Sequence, residues 1–174
     1  KNRKPINTYS KNETKINEVI NFIKSEILKK NQVFWVCPLI KESKKIDQQS
    51  ATEKFRYLGK IFKDRVDIVH GAMSKEEKDK VLNKFNDRKI DILVSTTVIE
   101  VGIDFPNANV IVIENSNKYG LSQLHQLRGR VGRGNKASSC ILMFKEGLSE
   151  NARKRITILK KTNDGFKIAE EDLK

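Results

Sequence analysis

Five short runs rich in β-branched, aliphatic and aromatic residues punctuate this chain, and segments of helical periodicity lie between them. The runs fall at 32–37, 65–69, 91–95, 109–114 and 139–144. Apolar residues at consecutive positions over so short a length are the mark of strands covered on both faces. Before the first run, Ile16, Val19, Ile20, Ile23 and Ile27 recur at helical spacing across 13–30. A second helix is expected over 50–62, preceded by a charged loop at 41–49. Ser74 and Glu77 form a capping box for a helix that turns Val81, Leu82 and Phe85 inward. Leu121, Leu124 and Leu127, with Val131, make the apolar stripe of another. Residues 1–12 are polar and aperiodic, and read as a strand end or linker.

Strands alternating with helices dictate an α/β fold: a mainly parallel sheet flanked by helices and joined by right-handed crossovers. In such sheets ligands gather at the carboxyl ends of the strands. His70-Gly71 and Thr96-Thr97 directly follow strands, and the Leu121 helix follows the fourth, so these are expected to converge on one edge. From 149 the pattern changes. Ala152, Ile156 and Leu159 share one helical face, Asn163-Asp164-Gly165 breaks it, and 168–173 looks helical again. A helical hairpin over 149–174 is expected after the sheet domain of 1–148. Its end in mid-element at Lys174 suggests a piece of a longer protein.

The formal net charge is +13 among 174 residues. Such a balance favours a polyanionic partner, most simply nucleic acid, although Lys is abundant throughout, as are Asn and Ile, and much of it reads as solvated surface. No run of about 18 apolar residues suggests a membrane span, and the basic start has no apolar segment behind it. Cys37 and Cys140 both sit in apolar runs and read as reduced core residues rather than a disulfide pair. No Cys/His spacing fits a metal site. A cytoplasmic location is expected.

One stretch has chemistry beyond folding. Gln126-Leu-Arg-Gly-Arg-Val-Gly-Arg-Gly134 places Arg128, Arg130 and Arg133 between glycines. Lys is the default cation, with nine Arg among 35 Lys+Arg, yet a third of the Arg lies within six residues. The planar guanidinium fork grips phosphate bidentately, where an ammonium acts as a point charge. The leucine periodicity argues against a disordered Arg/Gly patch.

The spacing Thr96-x5-Gly102-Ile103-Asp104, followed by Gln126-x-x-Gly129-Arg130-x-Gly132-Arg133, resembles motifs V and VI of superfamily 2 helicases and translocases. The fuller stretches Ser95–Asp104 and Gly120–Gly134, with Val36-Cys-Pro-Leu-Ile40 and Thr162-Asn-Asp-Gly-Phe166, are similar to the RecG family of branch-migrating DNA helicases. Transcription-repair coupling factors share the Leu-His-Gln-Leu-Arg-Gly-Arg-Val-Gly-Arg core but match the other stretches less well. Neither a Gly-x-x-x-x-Gly-Lys-Ser/Thr phosphate loop nor an acidic Asp-Glu-x-His box is present. The resemblance therefore implies the second RecA-like domain of a helicase, with the start of a translocation hairpin.

It further implies ATP with Mg²⁺ held mainly on a first RecA-like domain. Arg130 and Arg133 would be arginine fingers and Gln126 a γ-phosphate or water contact. Gly102 and Asp104 would approach the nucleotide. Thr96, Thr97, His70 and Gly71 would grip DNA phosphates. Branched or forked DNA and the first RecA-like and wedge domains of the same polypeptide are the implied partners. Structural alternatives stand beside these: an Arg133–Asp104 ion pair, turn capping by Thr97 or Asp104, and a purely structural His70. Arg128 faces elsewhere on its helix and reads as structural or DNA-facing.

Overall fold

The computed structural model describes residues 6–37, 44–96, 105, 108–131, 136–145 and 147–161. Strands β1 (Ile6–Asn12), β2 (Gln32–Cys37), β3 (Val66–Val69), β4 (Ile92–Thr96), β5 (Ala108–Ile113) and β6 (Ser138–Phe144) form one sheet in the order β1-β6-β5-β2-β4-β3. Every neighbouring pair is parallel. The helices are α1 (Ile16–Leu28), α2 (Lys44–Phe62), α3 (Lys75–Asn86), α4 (Leu121–Arg128) and α5 (Glu150–Lys161).

The pleat of β2 shows why its sequence is apolar throughout. Val33, Trp35 and Cys37 face a core built with Val19, Ile20 and Ile23 of α1 and Ala51 and Leu58 of α2. Phe34 and Val36 face the opposite core, with Val81 and Phe85 of α3, Leu121 and Leu124 of α4, and Ile156 and Leu159 of α5. Successive side chains point to opposite faces, so a strand with helices on both sides has no solvent face to mark with polar residues. The expected parallel sheet between helical layers is present.

Of the two readings of 1–12, strand end and linker, residues 6–12 take the first: they form the edge strand β1, paired with β6 from Ile6↔Ser138 to Asn12↔Phe144. One expectation is corrected. Helix α2 begins at Lys44, inside the segment expected to be a charged loop. Its first turns carry Ile46 half-exposed, so they lack an apolar stripe, while Asp47 is buried. The packing that fixes the helix comes later, from Ala51 and Leu58. Of the expected hairpin, α5 is observed, and 162–174 lie outside the described residues.

The capping box of α3 is as expected: Glu77 N–H donates to Ser74 Oγ at 3.1 Å, and Ser74 N–H donates to Glu77 Oε1 at 3.0 Å. A polar anchor joins the middle of the sheet to the end of α3. The buried Gln32 amide donates to the Phe85 carbonyl at 2.6 Å and the Ile90 carbonyl at 2.9 Å. A buried carbonyl left without a donor costs about 1–3 kcal/mol. Gln32→Leu keeps the volume but strips both donors, and should lower the unfolding free energy by roughly 2 kcal/mol or more in urea titration. An unchanged midpoint would show that the anchor contributes nothing net.

Candidate functional site

Because all strands are parallel, their carboxyl ends share one edge, and each candidate loop or helix departs from it. His70 follows β3, one step beyond the Val69↔Ser95 pair, next to the end of β4. Its Nδ1 accepts the Ala72 N–H at 3.2 Å, and Met73 N–H donates back to the His70 carbonyl at 3.2 Å. The acceptor role of Nδ1 leaves the proton on Nε2. Burial holds the His70 pKa below its ordinary value, with Glu77 opposing and Lys78 adding to the shift. Gly71 is exposed beside it.

Thr96 closes β4 and is buried, with its carbonyl accepting from Ser95 Oγ at 2.6 Å. Thr97, Gly102, Asp104 and Arg133 lie outside the described residues.

Gly120 caps the start of α4, and its N–H donates to Gln123 Oε1 at 2.9 Å. Leu121 and Leu124, with Val131 beyond the helix, are buried as their spacing predicts, and Leu127 packs partly against them. That packing leaves Gln126 exposed and Arg130 half-exposed, four residues apart at the end of the helix. Among the described residues, neither side chain is engaged by a hydrogen bond or ion pair. Gly129 between them has φ −68°, and an added Cβ would meet the Gln126 carbonyl oxygen at 3.4 Å, an ordinary contact. The fold itself makes little demand for glycine there.

Arg128 behaves differently. It is 2% exposed, and its guanidinium donates to the Leu159 carbonyl of α5 and, at 3.2 Å, to Thr8 Oγ1 of β1. It also reaches His125 Nδ1 at 3.4 Å. Burial draws its pKa down, but a guanidinium remains charged in a folded protein. Of the three arginines, one is therefore structural, joining α4, α5 and β1. Nearby Cys140 is fully buried, which pushes its thiol up to about 12. Burial and the Glu114 carboxylate raise Cys37 as well. Both cysteines are free and buried, as expected.

Glu114, absent from the sequence-derived candidates, directly follows β5. Its Oε2 accepts Trp35 Nε1–H at 2.7 Å and Cys37 Sγ–H at 3.2 Å, and Lys54 lies 3.6 Å from Oε1. Lys54 also stands 5.5 Å over the Trp35 ring. Among the described residues no group of acids, His and Cys is arranged to hold a metal ion, and no helix is long and apolar enough to cross a membrane.

Residues 14–135 match the family model described as the helicase conserved C-terminal domain. The chain belongs to that family. It is 48% identical over 174 residues to the ATP-dependent DNA helicase RecG of Thermotoga maritima, covering 99% of this chain and 22% of the relative. It is 44% identical over 173 residues to RecG of Bacillus subtilis, covering 98% and 25%. The chain thus spans about a quarter of the length of the curated relatives it matches. A solved structure of RecG bound to a three-way DNA junction superposes with a TM-score of 0.83 at 47% identity, covering 99% of this chain and 22% of that one. The Saccharomyces cerevisiae protein Dbp5, solved with RNA and ADP BeF3, superposes at 0.66 with 20% identity, covering 99% and 46%, which shows the shared fold alone. The fold is that of a helicase C-terminal RecA-like domain.

Two outcomes test this geometry. Arg128→Met should destabilise the chain by about 2–4 kcal/mol, since a buried carbonyl and hydroxyl lose charged donors. Hydrogen exchange should speed up first in α5 and β1; unchanged protection there would refute the joint. His70 should titrate below pH 6.5 by NMR. Its unfolded form takes up protons first, so its contribution to stability is complete above about 6.5 and is lost as pH falls through the folded value. A midpoint at or above the unperturbed value would contradict the described turn.

Proposed function

We propose that this chain is the second RecA-like domain of an ATP-dependent DNA helicase of the RecG kind, acting on branched or forked DNA in repair and recombination. The observation that carries the reading is Arg130: a guanidinium half-exposed beside exposed Gln126, free of internal acids among the described residues. A cation held this way by a packed helix is suited to meet charge from outside the domain. The 47% identical RecG structure with a DNA junction supports the choice of partner.

ATP, with Mg²⁺, would supply a phosphoanhydride held mainly on a first RecA-like domain. Phosphoryl transfer requires positioned cations on the developing charge more than covalent help. The described residues fit that division: they offer cationic and amide donors at the end of α4. Arg130, with Arg133, acts as the finger on the γ-phosphate. Gln126 orients the attacking water or touches the same phosphate, and Gly102 and Asp104 approach the nucleotide. His70 and Gly71, with Thr96 and Thr97, hold a DNA phosphate, a contact blind to sequence.

Arg128 fastens α4 to α5, so a shift of the finger helix is transmitted directly to the first helix of the hairpin. The domain is one half of a two-state element that closes and reopens with the nucleotide. The wedge and first RecA-like domains of the same polypeptide are its partners, and the cytoplasm its location.

Arg130→Ala in the full polypeptide should cut DNA-stimulated ATP hydrolysis by about 10³-fold or more, with DNA affinity unchanged in the absence of nucleotide. The 174-residue chain by itself should show no turnover above background. Retained hydrolysis in the variant removes Arg130 from the reaction. Turnover by the isolated chain would reject the two-domain reading.

A further inference from the structure

Glu114 stands where β5 gives way to the connection that leads into α4. Within β5, Val110 and Val112 turn to the core shared with α1 and α2, while Ile111 and Ile113 turn to the core shared with α4. The pleat therefore sends the Glu114 side chain toward the α2 face. Its main chain runs on to α4, which packs on the other face. One residue thus spans the sheet edge and joins the two helical layers.

Sheet register asks nothing of this side chain. Val36 already pairs with Ile113, and Glu114 N–H donates to the Val36 carbonyl at 3.0 Å. The carboxylate instead accepts from Trp35, which is fully buried, and from Cys37, the last residue of β2. An indole N–H so deeply placed needs an acceptor. The second oxygen faces Lys54 of α2 at 3.6 Å, and the Lys54 ammonium stands 5.1 Å from the Tyr57 ring centroid and 5.5 Å from that of Trp35. A partly exposed ion pair contributes little to stability. Registry between elements is the better-attested use of a charge kept in such a setting.

The connection beyond is short and pinned. Asn115 takes the left-handed conformation at φ +48°, which is disfavoured by a Cβ although asparagine tolerates it. Fully buried Ser116 donates from Oγ to the Met143 carbonyl of β6 at 2.9 Å. Residues 115–120 alone lie between Glu114 and α4. So little chain leaves no slack, and the place where Glu114 is held sets the place where α4 begins.

We infer, on the helicase reading above, that Glu114 is a positioning residue for phosphoryl transfer. By fastening the outlet of β5 to Trp35 and Lys54, it fixes the take-off of α4 and with it Gln126 and Arg130. Lys54 is the second member of the device and sets α2 behind the finger helix. A reacting group misplaced by about 1 Å costs on the order of 10²-fold in rate. Nucleotide held on a separate domain binds without that alignment, so the loss falls on kcat and not on KM.

The experiment measures DNA-stimulated ATP hydrolysis by the full polypeptide. E114L keeps bulk but removes acceptor and charge, and should lower kcat on the order of 10²-fold, with KM for ATP and DNA affinity unchanged. E114Q, whose amide oxygen still accepts the indole N–H, should recover part of that loss. K54M leaves the Trp35 hydrogen bond intact, should match E114Q, and carries the test if E114L does not fold. E114Q/K54M should fall no further than either single variant, because both remove one ion pair. Hydrogen exchange on the same proteins should quicken across 115–128 and stay unchanged in β5. Unaltered kcat in E114Q and K54M, or additive losses in the double variant, would overturn the assignment. Exchange quickened equally across β2, β5 and α2 would overturn it as well, marking a merely structural contact. An unmodified polypeptide without DNA-stimulated hydrolysis would reject the helicase reading, and the positioning role with it.

Discussion

A parallel sheet cannot be closed by tight hairpins: each strand must be reached by a crossover that returns over a face. This requirement covers both faces with helices and collects six carboxyl ends along one edge. The turn of His70, the end of β4, Glu114 and the approach to α4 are neighbours for that reason. So are the ends of β1 and β6. Chemistry at this edge needs no further folding device, only residues of the right type in the connections.

The same requirement explains which parts of the fold were legible in the sequence. Strands β2, β5 and β6 are buried on both faces, so their runs stand out against helical segments with a 3.6-residue period. Edge strand β1 offers only Ile6 and an exposed Tyr9 as large apolar side chains, and its pairing partner lies more than a hundred residues onward. Nothing local marks it as a strand. The start of α2 is hidden for a related reason: Lys44 and Lys45 read as loop residues, while the contacts that hold the helix lie beyond them. Capping of α3, by contrast, is a four-residue affair, and Ser74 with Glu77 stated it completely.

For the candidate site, the spacing of Leu121, Leu124 and Leu127 was enough to orient α4, and hence to predict that Gln126 and Arg130 face outward. The spacing set Arg128 elsewhere on the helix from Arg130, but left open whether it is structural or DNA-facing. Both are arginines flanked by glycine, and only the distant Thr8 and Leu159 decide that one is buried. Glu114 was missed likewise, since its meaning comes from Trp35 and Cys37 on the neighbouring strand. Long-range polar contacts leave no periodic trace, whereas apolar packing does.

The joint made by Arg128 grips a peptide carbonyl of α5 rather than a side chain. A main-chain oxygen is supplied by every amino acid, so the fastening does not depend on which residue occupies position 159, provided it fills the apolar slot. The outward residues of α5 are then free to drift without loosening the hinge. A lineage could retune what this helix touches while inheriting the linkage intact.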